Sequence, residues 1–229
     1  MGNIFKHLPN YKLTIGVMGS ASGYLMHNKK IVAASREIGR QIAKRGCILG
    51  NGACPGLPDE AAQGAKEAGG ETYGVSPAIS LESHLEKYRS PIEHYDNFLF
   101  TGVGLMMRDI INIRSAEGVI ILPGGTGTLN EFTVAYDEGK PIGVLTGHDG
   151  VADHIKDILR FCHREVTDRM IFSDNPEELV KGLLKIIKRV GSEGSLDDYL
   201  IGHDGAVTKI ESKFKNSSQL PLLDTKEKS

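Results

Sequence analysis

"GVIILPGGTGTLNEF" (residues 118–132) is the stretch that decides the fold. Five mostly apolar residues run straight into Pro-Gly-Gly-Thr-Gly-Thr, and a helical pattern follows. A short apolar run that ends in turn residues reads as a buried strand, and a glycine loop that opens a helix marks a strand-to-helix turn. The same alternation extends in both directions. Residues 13–19, 47–52, 71–77 and 97–102 read as strands before it, and 141–147 and 169–174 as strands after it. Between them, residues 29–46, 58–70, 104–116, 128–140 and 150–165 read as helices, and residues 175–190 as a closing helix capped by Asp174 or Asn175. Residues 74–94 read as a longer, irregular crossing. Strand–helix alternation at this spacing predicts an α/β fold, a Rossmann-like three-layer α/β/α arrangement with a mainly parallel sheet. No internal repeat is visible.

Composition narrows the function classes. The 229 residues suit one α/β domain with a tail: an N-terminal arm (1–10), a nucleotide-binding domain (11–190) and a polar C-terminal stretch (191–229). That last stretch reads as a poorly ordered tail with one short packed piece near Leu196–Ile201. A net charge of -2 with no basic block argues against nucleic acid as a partner. No apolar run approaches the ~20 residues of a membrane span, and no secretory signal is evident. Met1-Gly2 lacks the Ser or Thr at position 6 that myristoylation asks for, since Lys6 stands there. The three cysteines, Cys47, Cys54 and Cys162, are too few and too scattered for a disulfide framework, which suggests a reducing, cytoplasmic setting. The eight histidines show no ligand spacing, so no metal is expected.

In open parallel sheets, ligands bind beyond the carboxyl ends of the strands. Three glycine turns fall there: residues 19–23, 50–56 and 123–128. Glycine allows close backbone approach, and a helix start adds about half a positive charge, so the combination predicts a phosphate site. Two familiar phosphate motifs are absent. No GxxxxGK[ST] run exists, and a GxGxxG begun at Gly125 fails at Asn130. No acid closes the second strand, where Asn51 and Gly52 stand, so a dinucleotide is disfavoured. Thr128-Leu129-Asn130-Glu131 fits a capping box, with Leu129, Phe132, Thr133 and Tyr136 as the buried stripe, which puts Glu131 in the first helical turn beside the loop. A carboxylate there could also hold ribose hydroxyls or stabilise charge at an anomeric carbon. Arg108 taken alone reads as a surface arginine, and Met106 and Met107 as core fillers.

"MMRDIINIRSAEGVIILPGGTGTLNE" resembles the signature of the LOG family, an arginine ahead of PGGxGTxxE. "MGSASG" and "GNGACPGLPDEAAQGAKEAGGETYGVSP" are similar to that family's first two turns and third strand, and the likeness runs from about residue 12 to 187. The resemblance implies a Rossmann-like, usually dimeric enzyme with its site near the subunit contact. Such enzymes hydrolyse the N-glycosidic bond of nucleoside 5′-monophosphates, releasing free base and ribose 5-phosphate. By position, Arg108 and Glu131 would be catalytic, and Gly124, Gly125, Thr126, Gly127 and Thr128 would hold the 5′-phosphate. Gly19, Ser20 and Gly52 would line the nucleotide pocket, and Arg114 matches the second family arginine. No lysine is marked as a pyridoxal phosphate anchor, and no cofactor is implied. The chain departs from the cytokinin-type pattern at Asn130, at "LMMRDI" and at "GLPD", and there it resembles the branch that includes molybdenum-cofactor-carrier-like proteins. The alternative expectation is therefore a non-catalytic binder or carrier of a phosphorylated nucleotide or molybdopterin-type ligand. Either reading expects a phosphorylated small-molecule partner and a homodimer or higher homo-oligomer.

Overall fold

The computed structural model describes residues 10–193, together with the backbone of two short strands beyond them. Among these residues, β1 (Thr14–Met18), β2 (Ile48–Asn51), β3 (Thr72–Ser76), β4 (Asn97–Phe100), β5 (Gly118–Ile121), β6 (Ile142–Leu145) and β7 (Met170–Ser173) form one seven-stranded sheet. Every pairing in it is parallel, and the order is β4-β3-β2-β1-β5-β6-β7. The helices are α1 (Lys29–Lys44), α2 (Leu57–Glu67), α3 (Leu81–Glu86), α4 (Gly104–Arg114), α5 (Thr126–Asp137), α6 (Val151–Phe161) and α7 (Pro176–Glu193), with a single 3-10 turn at Tyr24–His27. None of the described helices is long and apolar enough to cross a membrane.

The period-2 alternation of the strands builds two cores. Val17, Leu49, Ile120 and Leu145 point to one face, where Ile31, Ile38 and Ile42 of α1, Ala61 and Ala65 of α2, and Leu183 and Ile187 of α7 cover them. Val119, Ile121, Ile142 and Val144 point to the other, under Ile113 of α4, Phe132 and Tyr136 of α5, and Ile155 and Leu159 of α6. Both faces of a parallel sheet are thus buried, which is why its strands read as near-continuous apolar runs.

The chain winds outward from β1 to β4, then returns to place β5 on the other side of β1. The strand order reverses between β1 and β5, and the loops leaving them diverge around a crevice. Two backbone bonds hold these segments together at the sheet edge: Leu122 N–H donates to Met18 O (2.7 Å) and Ser20 N–H to Pro123 O (3.0 Å).

Three expectations change. The irregular crossing contains α3, whose start is capped by Ser80 Oγ accepting from Ser83 N–H. Its His84 is fully buried, bonded to Ser76 Oγ (2.8 Å) and Pro91 O (3.1 Å), and it anchors the segment over Phe98 and Phe100. Secondly, α5 begins at Thr126 with Gly125 as its N-cap and no side-chain cap bond. Thr128 therefore lies inside the helix, and the capping box does not form. Thirdly, the buried stripe of α5 is Thr128, Phe132, Ala135 and Tyr136, while Thr133 is exposed and bonds back to Asn130 O. The closing helix is capped by Asn175, whose Oδ1 accepts from Glu177 and Glu178 N–H. In the expected tail, β8 (Tyr199–Ile201) and β9 (Val207–Lys209) pair as an antiparallel ribbon; the expected packed piece at Leu196–Ile201 falls partly on β8, and the rest of the tail lies outside the described residues.

Candidate functional site

A cavity of about 430 Å3 opens at the carboxyl edge of the sheet, over the point where the strand order reverses. The turn after β1 contributes Gly19 and Ser20, and the turn after β2 contributes Gly52 and Cys54. From α4 come Arg108 and Asp109, and from α5 the whole first turn, Gly125 to Thr128, with Glu131 one turn on. Of the residues singled out from sequence, only two are not brought here. Gly124 is buried beneath the loop, its carbonyl accepting from Val151 N–H (2.8 Å) and its backbone in contact with Gly150. Arg114 is exposed at the far end of α4, where its guanidinium pairs with Glu138, Nε lying 3.0 Å from Oε1.

The loop at the head of α5 has the form of an anion seat. Gly125 and Gly127 face open space, so nothing crowds the backbone there. Gly125, Thr126 and Gly127 are exposed, and the helix start lacks a side-chain cap. The first-turn N–H groups of an α-helix have no intrahelical partner, and the helix dipole adds positive potential at the same place.

Arg108 is not a surface arginine. It is 4% exposed, with Nη1 donating to Val75 O (3.4 Å) and Nη2 to Cys54 Sγ (3.4 Å). Its Nε lies 3.3 Å from Asp109 Oδ1, an ion-pair distance without the alignment of a hydrogen bond. Gly52 is required by this approach, because a Cβ there would overlap the guanidinium. Burial works against the arginine's charge, but Cys54, Asp109 and Glu131 together hold its affinity for the proton above the ordinary value. The turn carrying Gly52 is itself fixed by the fully buried Asn51, whose side chain donates to Pro58 O (2.8 Å) and accepts from Ala53 N–H (2.7 Å).

Glu131 sits in the cavity wall, largely enclosed but still reached by solvent. Burial pushes its carboxyl from 4.5 up to about 8; the charge of Asp109 adds to the shift and Arg108 opposes it. Asp109 is also raised by burial, against the pull of Arg108 and a 3.3 Å hydrogen bond from Asn130 Nδ2. Sequence reasoning missed Asp109 and Cys54. The signal for Asp109 was its place beside Arg108 on a helix that turns its polar residues inward. Leu105 and Met106 also line the cavity, and Met106 and Met107 are 60% and 62% exposed rather than core fillers.

A second concavity, of about 530 Å3, lies at the ends of β6 and β7. Two of its charged groups serve the fold: Asp153 accepts from the N–H groups of Gly147, His148 and Asp149, and Lys156 Nζ stands 4.5 Å from the centre of the Phe172 ring.

Comparison with known proteins agrees with this architecture. The chain is 29% identical over 166 residues to a cytokinin riboside 5′-monophosphate phosphoribohydrolase of Mycobacterium tuberculosis, covering 66% of this chain and 84% of that protein. Among solved structures it is similar to the molybdenum cofactor binding protein of Rippkaea orientalis, with a TM-score of 0.63, 28% identity, and 78% of this chain and 99% of that one covered. It is also similar to the molybdenum cofactor carrier protein of Chlamydomonas reinhardtii, with a TM-score of 0.60, 30% identity, and 77% and 99% covered. The family model described as the SLOG cluster4 family matches residues 12–180, which hold all seven strands of the parallel sheet and all of the cavity-lining turns, and the chain belongs to that family.

Proposed function

We propose that this protein binds a nucleoside 5′-monophosphate and hydrolyses its N-glycosidic bond, releasing free base and ribose 5-phosphate. The observation that carries the reading is the uncapped, glycine-flanked start of α5, which opens onto the same cavity as Arg108 and Glu131. The 5′-phosphate would rest on the N–H groups of residues 125–128, where the helix end favours an anion. Arg108, Glu131, Gly19, Ser20 and Gly52 would then surround the sugar and base. Breaking a C–N bond at an anomeric carbon develops positive charge on the sugar and negative charge on the leaving base. Fixed groups aimed at those charges stabilise the transition state without a metal. The named activity of the mycobacterial relative and the phosphorylated cargo implied by the carrier neighbours both support a phosphorylated small molecule as the ligand.

The reading includes a second copy of the chain. Val103 at the N-cap and Met106, Met107 and Ile110 of α4 form an exposed stripe at helical spacing, and Leu99 of the edge strand β4 is also exposed. Exposed apolar surface of this extent marks an interface. Leu105 and Met106 belong both to this exposed face and to the cavity lining, so a partner docked here would border the ligand.

The carrier reading keeps the same phosphate seat and needs no turnover. Incubation with AMP and a panel of other nucleoside monophosphates, with free base and ribose 5-phosphate quantified, separates the two. Base release by the wild type that falls at least ~100-fold in Glu131→Gln, with the variant still folded, is expected. Ligand-induced thermal stabilisation with no release from any monophosphate would overturn the hydrolase in favour of the carrier.

A further inference from the structure

We propose that Asp109 is a positioning residue that engages the Nε edge of Arg108 and so leaves Glu131 to act as the proton donor to the departing base. The inference rests on the hydrolase reading and deepens it. Its geometric basis is the way the cation is shared. Arg108 is the buried cation of the cavity, and each edge of its guanidinium faces a different group: Val75 O at Nη1, Cys54 Sγ at Nη2, and Asp109 Oδ1 at Nε. No hydrogen bond from Arg108 reaches Glu131 among the described residues, although the two charges act on each other. Asp109 is in turn held on its other oxygen by Asn130, the residue immediately before Glu131, which ties the two carboxyls to adjacent parts of one wall. The charged groups that bear on Glu131 are Asp109 and Arg108, both from α4; α5 itself brings no other ionisable group to the cavity lining.

With one buried cation and two carboxyls, only one carboxyl is readily kept as an anion. Asp109 has the nearer claim, by the ion pair and by the Asn130 amide. Glu131, with its carboxyl raised to about 8 chiefly by burial, keeps its proton at neutral pH. A protonated carboxyl is a poor stabiliser of a sugar cation but a competent general acid, and a value near the working pH is the one that suits such a step. In that step the Glu131 proton moves to a ring nitrogen of the base as the C–N bond breaks, the bonding electron pair leaving with the base. Water then adds to the anomeric carbon and its released proton returns to Glu131, so that monophosphate plus water gives base plus ribose 5-phosphate.

The test is the dependence of kcat and KM on pH for wild type, Asp109→Asn and Glu131→Gln with AMP or whichever monophosphate is turned over. Wild-type kcat should fall as pH rises through about 8. In Asp109→Asn, Arg108 is freed to face Glu131, so the falling limb should move to lower pH by about one unit with KM little changed. An activity that instead rises with pH through the same range would overturn the proton-donor role, and a profile in Asp109→Asn that overlies the wild type would overturn the positioning role. Asp109→Ser replaces the asparagine variant if that one melts before assay. Infrared titration of the protonated carboxyl band that is lost in Glu131→Gln reads the same positions without turnover. If no monophosphate is cleaved, the hydrolase reading fails and the proton-donor role with it. An infrared midpoint unmoved by Asp109→Asn overturns the positioning role independently.

Discussion

At the scale of single residues, the site is governed by what is allowed near one buried guanidinium. Gly52 has to be glycine, because any Cβ would enter the space of Arg108. Gly52→Ala should displace the arginine and lower kcat/KM by roughly tenfold or more, since small misplacements of a positioning group are costly; steady-state kinetics beside a melting curve would check that the loss exceeds any general instability. Glu131 gives a prediction with a sign. Its folded value, about 8, lies above the ordinary 4.5, so the folded chain holds a proton that the unfolded chain releases. The stability contributed by that proton is complete below the ordinary value and is lost as pH rises through about 8. Glu131→Gln stays neutral throughout. The variant should melt with the wild type at pH 5 and several degrees above it at pH 9, as measured by differential scanning calorimetry.

At the scale of elements, α4 and α5 are unusual in opposite ways. On α4 the inward face carries Arg108, Asp109 and Asn112, and the outward face carries Val103, Met106, Met107 and Ile110. An ordinary surface helix turns its apolar stripe to the core; this one sends only Ile113 fully into the core and turns its polar residues to the cavity, so most of its apolar side chains face outward. On α5 the start is left without a side-chain cap, where α7 shows the usual arrangement. Asn175→Ala should cost about 1 kcal/mol of stability and leave activity unchanged. Chemical denaturation read alongside base release would show the separation. This contrast was only half legible from sequence. A Thr-x-x-Glu spacing fits a capping box with Thr128 as its cap, but the N-cap falls three residues earlier, at Gly125, so Thr128 is already inside the helix.

At the scale of the whole molecule, the exposed apolar stripe of α4 is where the proposed second copy would dock. Met107 is exposed on that face and does not line the cavity. Met107→Glu should convert a dimer to a monomer in light scattering, because a charge at the centre of an apolar contact is left without its water. If the partner borders the ligand, the same variant should raise KM more than it lowers kcat. A wild-type chain that is monomeric at assay concentration would remove this element of the reading.

The alternation of strands and helices, the parallel sheet and the three glycine turns are legible along the chain, because apolar periodicity and glycine placement are local signals that tertiary contacts here reinforce. Arg108 and Glu131 are linked only through the resemblance to the LOG-family signature, since Arg108 taken alone reads as a surface arginine. The rest follows from packing across the sheet. Burial of Arg108, the proximity of Asp109 and Cys54 to it, the separation of Arg114 from the cavity and the outward turn of Met106 and Met107 depend on which face of α4 meets the sheet. The protonation of Glu131 depends on how much water the assembled walls exclude. These are properties of residues brought together from β2, α4 and α5, and no spacing along the chain encodes the distance across that crevice.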